Sequence, residues 1–251
     1  MAGDHGVCAE GVSAYPAEVT PQMVSNFLRG GAAINALAAQ AGARVIVVDV
    51  GVAGQLRQHP RLYSRRVAAG ADNIARGPAM SRAQAVKALE VGIEVLQAEQ
   101  SRGLSMVATG DMGIGNTTPS SAIVSAVTGL PPALVTGRGT GLDDSGLEHK
   151  AWVIARALSM NQPDPSDGLD VLAKVGGYEI AGLAGVILGA CANRLVVVVD
   201  GFISGAAAIV AALLCPTVKE HIVASHLSVE LGHQAAMGWL GARPLLDLGL
   251  R

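Results

Sequence analysis

Aromatic residues are scarce in this chain of 251 residues, with Phe, Trp and Tyr together making up 3%. That scarcity excludes the stacking platforms on which single-strand nucleic-acid binders depend. An excess of one charge is missing too. The 18 Lys and Arg stand against 20 Asp and Glu, a formal net charge of -2, and the arginines are scattered, so there is no electrostatic footprint for nucleic acid. The three cysteines, Cys8, Cys191 and Cys215, are an odd number at long spacings. They make neither a disulfide framework nor a metal cluster and are expected as reduced, mostly buried thiols. No apolar run is long enough for a bilayer: 201–215 is too short, and 180–199 is interrupted by Asn193 and Arg194, so no membrane partner is expected. The opening MAGDHGVCAE has an acid and a histidine where an export signal carries basic and then strongly apolar residues, and the expected setting is cytoplasmic.

What is present is an alternation of short β-branched runs with longer Ala-rich segments, the pattern of parallel strands joined by crossover helices. Runs 44–50 (RVIVVDV) and 195–200 (LVVVVD) are almost continuously apolar, as strands covered on both faces are. Runs 104–109 and 222–225 are a third and a weaker fourth strand, and the residues before Asp4 read as part of a fifth. Thr20 followed by Pro21 reads as a helix cap. The stripe Met23, Phe27, Ile34 and Leu37 then predicts one helix ending at Gly42. Ser81 and Gln84 form a capping box ahead of Val86, Leu89, Ile93 and Leu96, a helix running to Gly103. A third helix is expected from about Asp144 to Met160, followed by a loop over 161–168. One α/β domain, alone or with a small appendage, fits the length.

Open parallel sheets bind ligands beyond the carboxyl ends of their strands, so the turns there are the candidate sites. The turn 110–119 (GDMGIGNTTP) allows close backbone approach, with Thr117 or Thr118 capping the next helix and free N–H groups facing an anion. It is neither a Walker loop nor a dinucleotide fingerprint. After the run ending at Asp200 comes Gly201-Phe202-Ile203-Ser204, where the acid either binds ribose hydroxyls or caps the helix. In Ser225-His226-Leu227-Ser228 the last serine reads as an N-cap. The glycine-rich connection 137–146 leads to a helix bearing Lys150, a point charge within reach of a phosphate. His5, His149, His226 and His233 show no metal-ligand spacing, so no metal is expected. His5 beside Asp4 is equally a catalytic or a packed histidine. Gly51-Val52-Ala53-Gly54 stands where a G-x-G-x-x-G would mark a nicotinamide-dependent oxidoreductase, which is disfavoured.

Six segments occur in the order found in the nicotinate-nucleotide:dimethylbenzimidazole phosphoribosyltransferases: 2–16 (AGDHGVCAEGVSAYP), 77–85 (GPAMSRAQA), 110–119, 174–185 (KVGGYEIAGLAG), 199–208 (VDGFISGAAA) and 243–251 (RPLLDLGLR). The chain resembles that family over nearly its whole length. The resemblance implies a Rossmann-like parallel sheet flanked by helices, with the family's small helical domain largely missing. Residues 1–251 would form a single nucleotide-binding domain, with 228–251 leading toward the small domain. It also implies a homodimer, no cofactor, and transfer of ribose phosphate from nicotinate mononucleotide to 5,6-dimethylbenzimidazole, giving α-ribazole 5′-phosphate and nicotinate. Tyr15 and Met23 match the benzimidazole pocket. Asp111, where the family usually has glutamate, faces the nucleotide, and Lys150 matches a lysine associated with the phosphate. Gly113, Asn116, Thr117, Gly176, Asp200, Gly201, Ser204 and Ser228 match the nucleotide-facing loops. The family's catalytic base is a glutamate just past the segment that ends here at Arg251. The resemblance therefore gives no confident base within the chain, with Asp111 as a weak candidate. It leaves a rival expectation: a fragment, truncated at both ends with apolar surface laid bare, that only binds nucleotide or dimerises.

Overall fold

In the computed structural model, residues 1–250 are described. Among them the strands are β1 (Ala2–Gly3), β2 (Val47–Gly51), β3 (Leu62–Ser64), β4 (Met106–Ala108), β5 (Val196–Val199) and β6 (Ile222–Ala224). They form two parallel three-stranded sheets, β1-β2-β3 and β4-β5-β6. A parallel bridge between Ala2 and Met112 joins the two, with the Gly3 N–H donating to the Met112 carbonyl at 3.0 Å and the Met112 N–H to the Met1 carbonyl at 2.9 Å. Through this bridge, made with the turn after β4, the strands follow one another in the order 3-2-1-4-5-6, and the order reverses between β1 and β4. In such sheets the crevice at the reversal is where ligands bind.

The helices are α1 (Val19–Arg29), α2 (Ala33–Ala41), α3 (Arg82–Gln100), α4 (Thr117–Thr128), α5 (Pro132–Val135), α6 (Asp144–Asn161), α7 (Gly168–Val175), α8 (Tyr178–Ala192), α9 (Phe202–Leu214) and α10 (Leu231–Leu240). Helix α8 is apolar around almost its whole circumference, so it lies inside the molecule against α3, α9 and the sheet, as a helix without a polar face must. Helices α4, α9 and α10 follow β4, β5 and β6 in turn and pack on one another. All three therefore begin at the same carboxyl edge. The tail returns beside β6, where the Leu227 N–H donates to the Leu246 carbonyl and the Leu246 N–H to the Ser225 carbonyl.

Most elements lie where the sequence puts them, and the Ser81–Gln84 capping box forms as expected. The single helix expected over 20–42 is two helices. Gly30 adopts a left-handed φ of 82°, and Asn35 braces the corner by accepting from the Ala32 N–H and donating to the Phe27 carbonyl. Glu18, not Thr20, precedes α1. The buried stripe is Thr20, Val24 and Leu28, while Ile34 and Leu37 are exposed. Strand β2 is fully buried, but β4 is exposed at both ends and β5 at its amino end, Val196, so of these three only β2 is covered along its whole length. The cysteines are half-buried rather than buried. Leu245, Leu246, Leu248 and Leu250 are each exposed, giving the tail an uncovered apolar face. Among the described residues no helix is long and apolar enough to cross a membrane.

Candidate functional site

The β1–β4 reversal gathers a buried cluster of titratable groups. His5, just past β1, bonds through Nε2 to Glu179 Oε1 at 2.7 Å, with both side chains out of solvent. Burial alone would lower the His5 pKa, but the Glu179 charge and hydrogen bond, with Asp4 and Asp111, outweigh it and hold it above the ordinary value. Glu179 Oε2 and Asp4 Oδ1 are buried without hydrogen-bond partners. Gly113 is required where the turn crosses β1: a Cβ there would sit 2.2 Å from the Gly3 carbonyl oxygen. Asp111 Oδ1 accepts from the Asn116 side-chain amide at 2.8 Å. Burial, reinforced by Glu179, pushes the Asp111 carboxyl up to about 6, so it exchanges a proton close to neutral pH. Cys8 lies alongside, its thiol pushed up to about 11 by burial and by Asp4 and Glu179. It stays protonated at neutral pH and is no nucleophile.

Beside this cluster, the turn over 110–116 delivers the chain into α4. Asn116 holds the cap position, but its side chain is engaged with Asp111. The expectation that Thr117 or Thr118 caps the helix fails because both are already within its first turn. Lys150, fully buried on α6, reaches this end of α4. Its Nζ donates to Thr117 Oγ1 at 2.7 Å and to the Gly137 carbonyl at 3.2 Å. Burial pushes the ammonium down to about 8, with Glu230 opposing. An isolated buried ammonium is costly, and here only one carboxylate, Glu230, offsets it.

The same edge continues to α9 and α10. Gly201 precedes α9, and no side chain caps α4, α9 or α10. Helices α3, α6 and α7, by contrast, are capped by Ser81, Asp143 and Asp167. Asp200 does not cap α9; more than half exposed, it lies 3.5 Å from His226 Nδ1 and accepts from Ser225 Oγ at 3.4 Å. Ser228 is likewise no N-cap. Glu230 takes that position, and Ser228 Oγ accepts the Glu230 N–H at 3.3 Å. Around these helix starts, Thr118 Oγ1, Ser204 Oγ, His226 Nε2, Glu230 Oε2 and His233 Nδ1 are buried with no hydrogen-bond partner. Orphaned polar atoms cost free energy in a closed core, and here they group near three helix N-termini whose N–H groups have no side-chain cap.

The expected residues thus divide. Asp111, Gly113, Asn116, Thr117, Lys150, Asp200, Gly201, Ser204 and Ser228 share one carboxyl edge. Gly176 ends α7, where a Cβ would meet the Leu172 carbonyl oxygen of that same helix at 2.6 Å, a constraint on how α7 terminates. Met23 is half-buried on α1, and Tyr15 is 56% exposed in the preceding segment. That segment reaches the edge through the Ala14 N–H, which donates to Thr140 Oγ1 at 2.9 Å. Helix α1 does so through Thr20 Oγ1, which accepts the Ile114 N–H at 3.1 Å. The residues to which the sequence gave no role are Glu179, His226, His233 and Glu230. Glu179 was visible as a lone carboxylate in an otherwise apolar helical run. His226 and Glu230 had no spacing to announce them.

Comparison with known proteins agrees with this architecture. A family profile described as DBI_PRT, phosphoribosyltransferase, matches residues 1–251. A nicotinate-nucleotide–dimethylbenzimidazole phosphoribosyltransferase of Desulforudis audaxviator is 61% identical over 251 residues, all of this chain and 71% of the relative. The protein of the same name from Geobacter sulfurreducens is 59% identical with the same coverage. The crystal structure of CobT from Thermus thermophilus superposes with a TM-score of 0.96 at 49% identity, over 99% of this chain and 74% of that one. The chain belongs to the DBI_PRT phosphoribosyltransferase family.

Proposed function

We propose that this chain performs the transfer of ribose phosphate from nicotinate mononucleotide to 5,6-dimethylbenzimidazole, yielding α-ribazole 5′-phosphate and nicotinate. The observation that carries the reading is the Lys150 ammonium, buried at the uncapped start of α4 among the orphaned polar atoms of α9 and α10. A phosphate placed there accepts from helix N–H groups and from Nζ, the arrangement that helix N-termini and a point cation favour. The relatives' printed names supply the substrates.

In this reading Asp111, steadied by Asn116, takes a ribose hydroxyl, and Asp200 with Gly201 lines the far side of the nucleotide. Tyr15 and Met23 flank the flat benzimidazole. The chemical step is an in-line displacement: a ring nitrogen of the base attacks C1′, the N-glycosidic bond to nicotinate breaks with its electron pair leaving on the pyridine nitrogen, and the attacking ring loses its N–H proton. A positioned base for that proton is worth about 10² to 10⁴ in rate. Asp111 lies on the ribose side in this arrangement and is not assigned that role. A homodimer in a cytoplasmic setting belongs to the same reading. Calorimetry with nicotinate mononucleotide, dimethylbenzimidazole and the two together, with chromatographic assay for α-ribazole phosphate, tests it. Binding of the nucleotide is expected; absence of nucleotide binding refutes the reading. Binding without product supports the nucleotide-binding module over the complete transferase.

A further inference from the structure

A second polar group faces the α9 start, and the reaction as described leaves it without a task. His226 follows β6 and is only 8% exposed. Its Nδ1 lies 3.0 Å from Ser225 Oγ and 3.5 Å from Asp200 Oδ1, and the Ser225 hydroxyl donates onward to that same carboxylate. A serine hydroxyl that donates to Asp200 has only lone pairs left for the imidazole, so Nδ1 carries a hydrogen. The other nitrogen, Nε2, is buried and unpartnered. It lies 3.9 Å from where a Cβ on Gly201 would stand, which points it at the N-cap of the 13-residue helix α9. Ser204 Oγ, in the first turn of that helix, is fully buried and also unpartnered.

We propose that His226 is a further binding residue for the nucleotide, its Nε2–H donating to the 5′-phosphate at the α9 N-terminus while Asp200 and Ser225 hold Nδ1 from behind. The inference rests on the nucleotide reading above and adds a residue to it. A carboxylate, an imidazole ring and a phosphate in line form two hydrogen bonds through one ring, each to an anion and so stronger than a contact between neutral groups. The titratable groups that face His226 are Asp200, at the end of β5, and His233, on α10. The two rings stack 6.3 Å apart, and the tail strand adds the backbone bridge to Leu246. His233 bonds through Nε2 to the His226 carbonyl at 3.1 Å. That carbonyl accepts only, so His233 donates from Nε2. Burial lowers its pKa, so it stays neutral and does not compete for the anion.

The test is calorimetric titration of the chain with nicotinate mononucleotide, with its dephosphorylated riboside and with inorganic phosphate. The unaltered protein is compared with His226→Asn, which keeps an amide at the Nδ1 position, and with His226→Gln, which keeps one at Nε2. His226→Asn is expected to weaken mononucleotide binding roughly tenfold and to leave riboside binding unchanged, while His226→Gln recovers part of the loss. Equal affinities for the mononucleotide, or an equal loss with the riboside, overturns the assignment. Unchanged binding of dimethylbenzimidazole shows that the variants are folded. If the unaltered chain binds no mononucleotide, the underlying reading fails and the inference with it; if it binds and His226→Asn matches it, only the inference fails.

Discussion

Lys150→Met separates the ammonium's charge from the packing of its stem. The methionine keeps an unbranched chain of similar length inside the core but removes the donor to Thr117 Oγ1 and to the Gly137 carbonyl. It also removes the positive charge that Glu230 faces. A hydrogen bond to a charged group is worth about 1.5–3 kcal/mol, so nicotinate mononucleotide affinity should fall by about 10- to 150-fold at neutral pH. The pH dependence carries a sign of its own. Burial depresses the Lys150 pKa to about 8, so the charged form is lost as pH rises through that value instead of near 10. The ammonium is then about nine-tenths populated at pH 7 and about one-tenth at pH 9, and affinity in the unaltered protein should drop about tenfold between them. In Lys150→Met the drop should vanish. Isothermal titration at the two pH values reads both effects. Undiminished binding by Lys150→Met, or a flat profile in the unaltered protein, refutes the placement of the phosphate beside this lysine.

Three further predictions concern the frame around the site. Glu179→Gln strips the buried His5 of its counter-charge; breaking such a pair costs about 3–5 kcal/mol. Because the His5 pKa is held above its ordinary value, that stability is present in mild acid and lost as pH rises through the raised pKa. The fall in Tm should thus be larger at pH 5.5 than at pH 9, and equal falls would sink the charge argument. Glu99→Ala removes the acceptor on which the Tyr63 hydroxyl at 2.6 Å, Arg102 and Arg44 converge. About 1–3 kcal/mol should be lost in urea unfolding, and the Tyr63 phenol, held above its usual pKa mainly by that bond, should titrate earlier by ultraviolet absorbance; an unchanged phenol titration contradicts the network. Gly92→Ala sets a Cβ 2.0 Å from the Gly182 carbonyl oxygen across the α3–α8 contact. Overpacking of about 1–3 kcal/mol then exceeds the helix-propensity gain of about 1 kcal/mol, and an unchanged or higher urea midpoint contradicts that account.

Local chemistry made much of the fold legible. The Ser81–Gln84 box needs only two side chains three residues apart, so the start of α3 could be read directly. The apolar run around β2 likewise announces a strand covered on both faces. The break at Gly30 was harder to see because a glycine between two apolar stretches is compatible with a continuous helix. The turn required a left-handed φ and the Asn35 brace, and side-chain pairing of that kind does not show in periodicity. The capping errors at Thr117 and Ser228 have one cause. A serine or threonine near a helix start looks like a cap in the sequence, but here the nearby residues Asn116 and Glu230 occupy the cap positions.

The sequence by itself determined the α/β class, the glycine-rich turns at the strand ends and, through its ordered motifs, the family, because each depends on residues near one another in the chain. Tertiary structure alone decided which groups share a site. His5 and Glu179 are 174 residues apart and meet only because β1 lies at the sheet's reversal, next to the start of α8. Lys150 becomes a buried cation only when α6 is laid across the start of α4. His226 gains its carboxylate only where β5 and β6 run parallel and bring Asp200 alongside. Charge and burial are properties of neighbours in space, and the strand order, which no local pattern encodes, chose those neighbours.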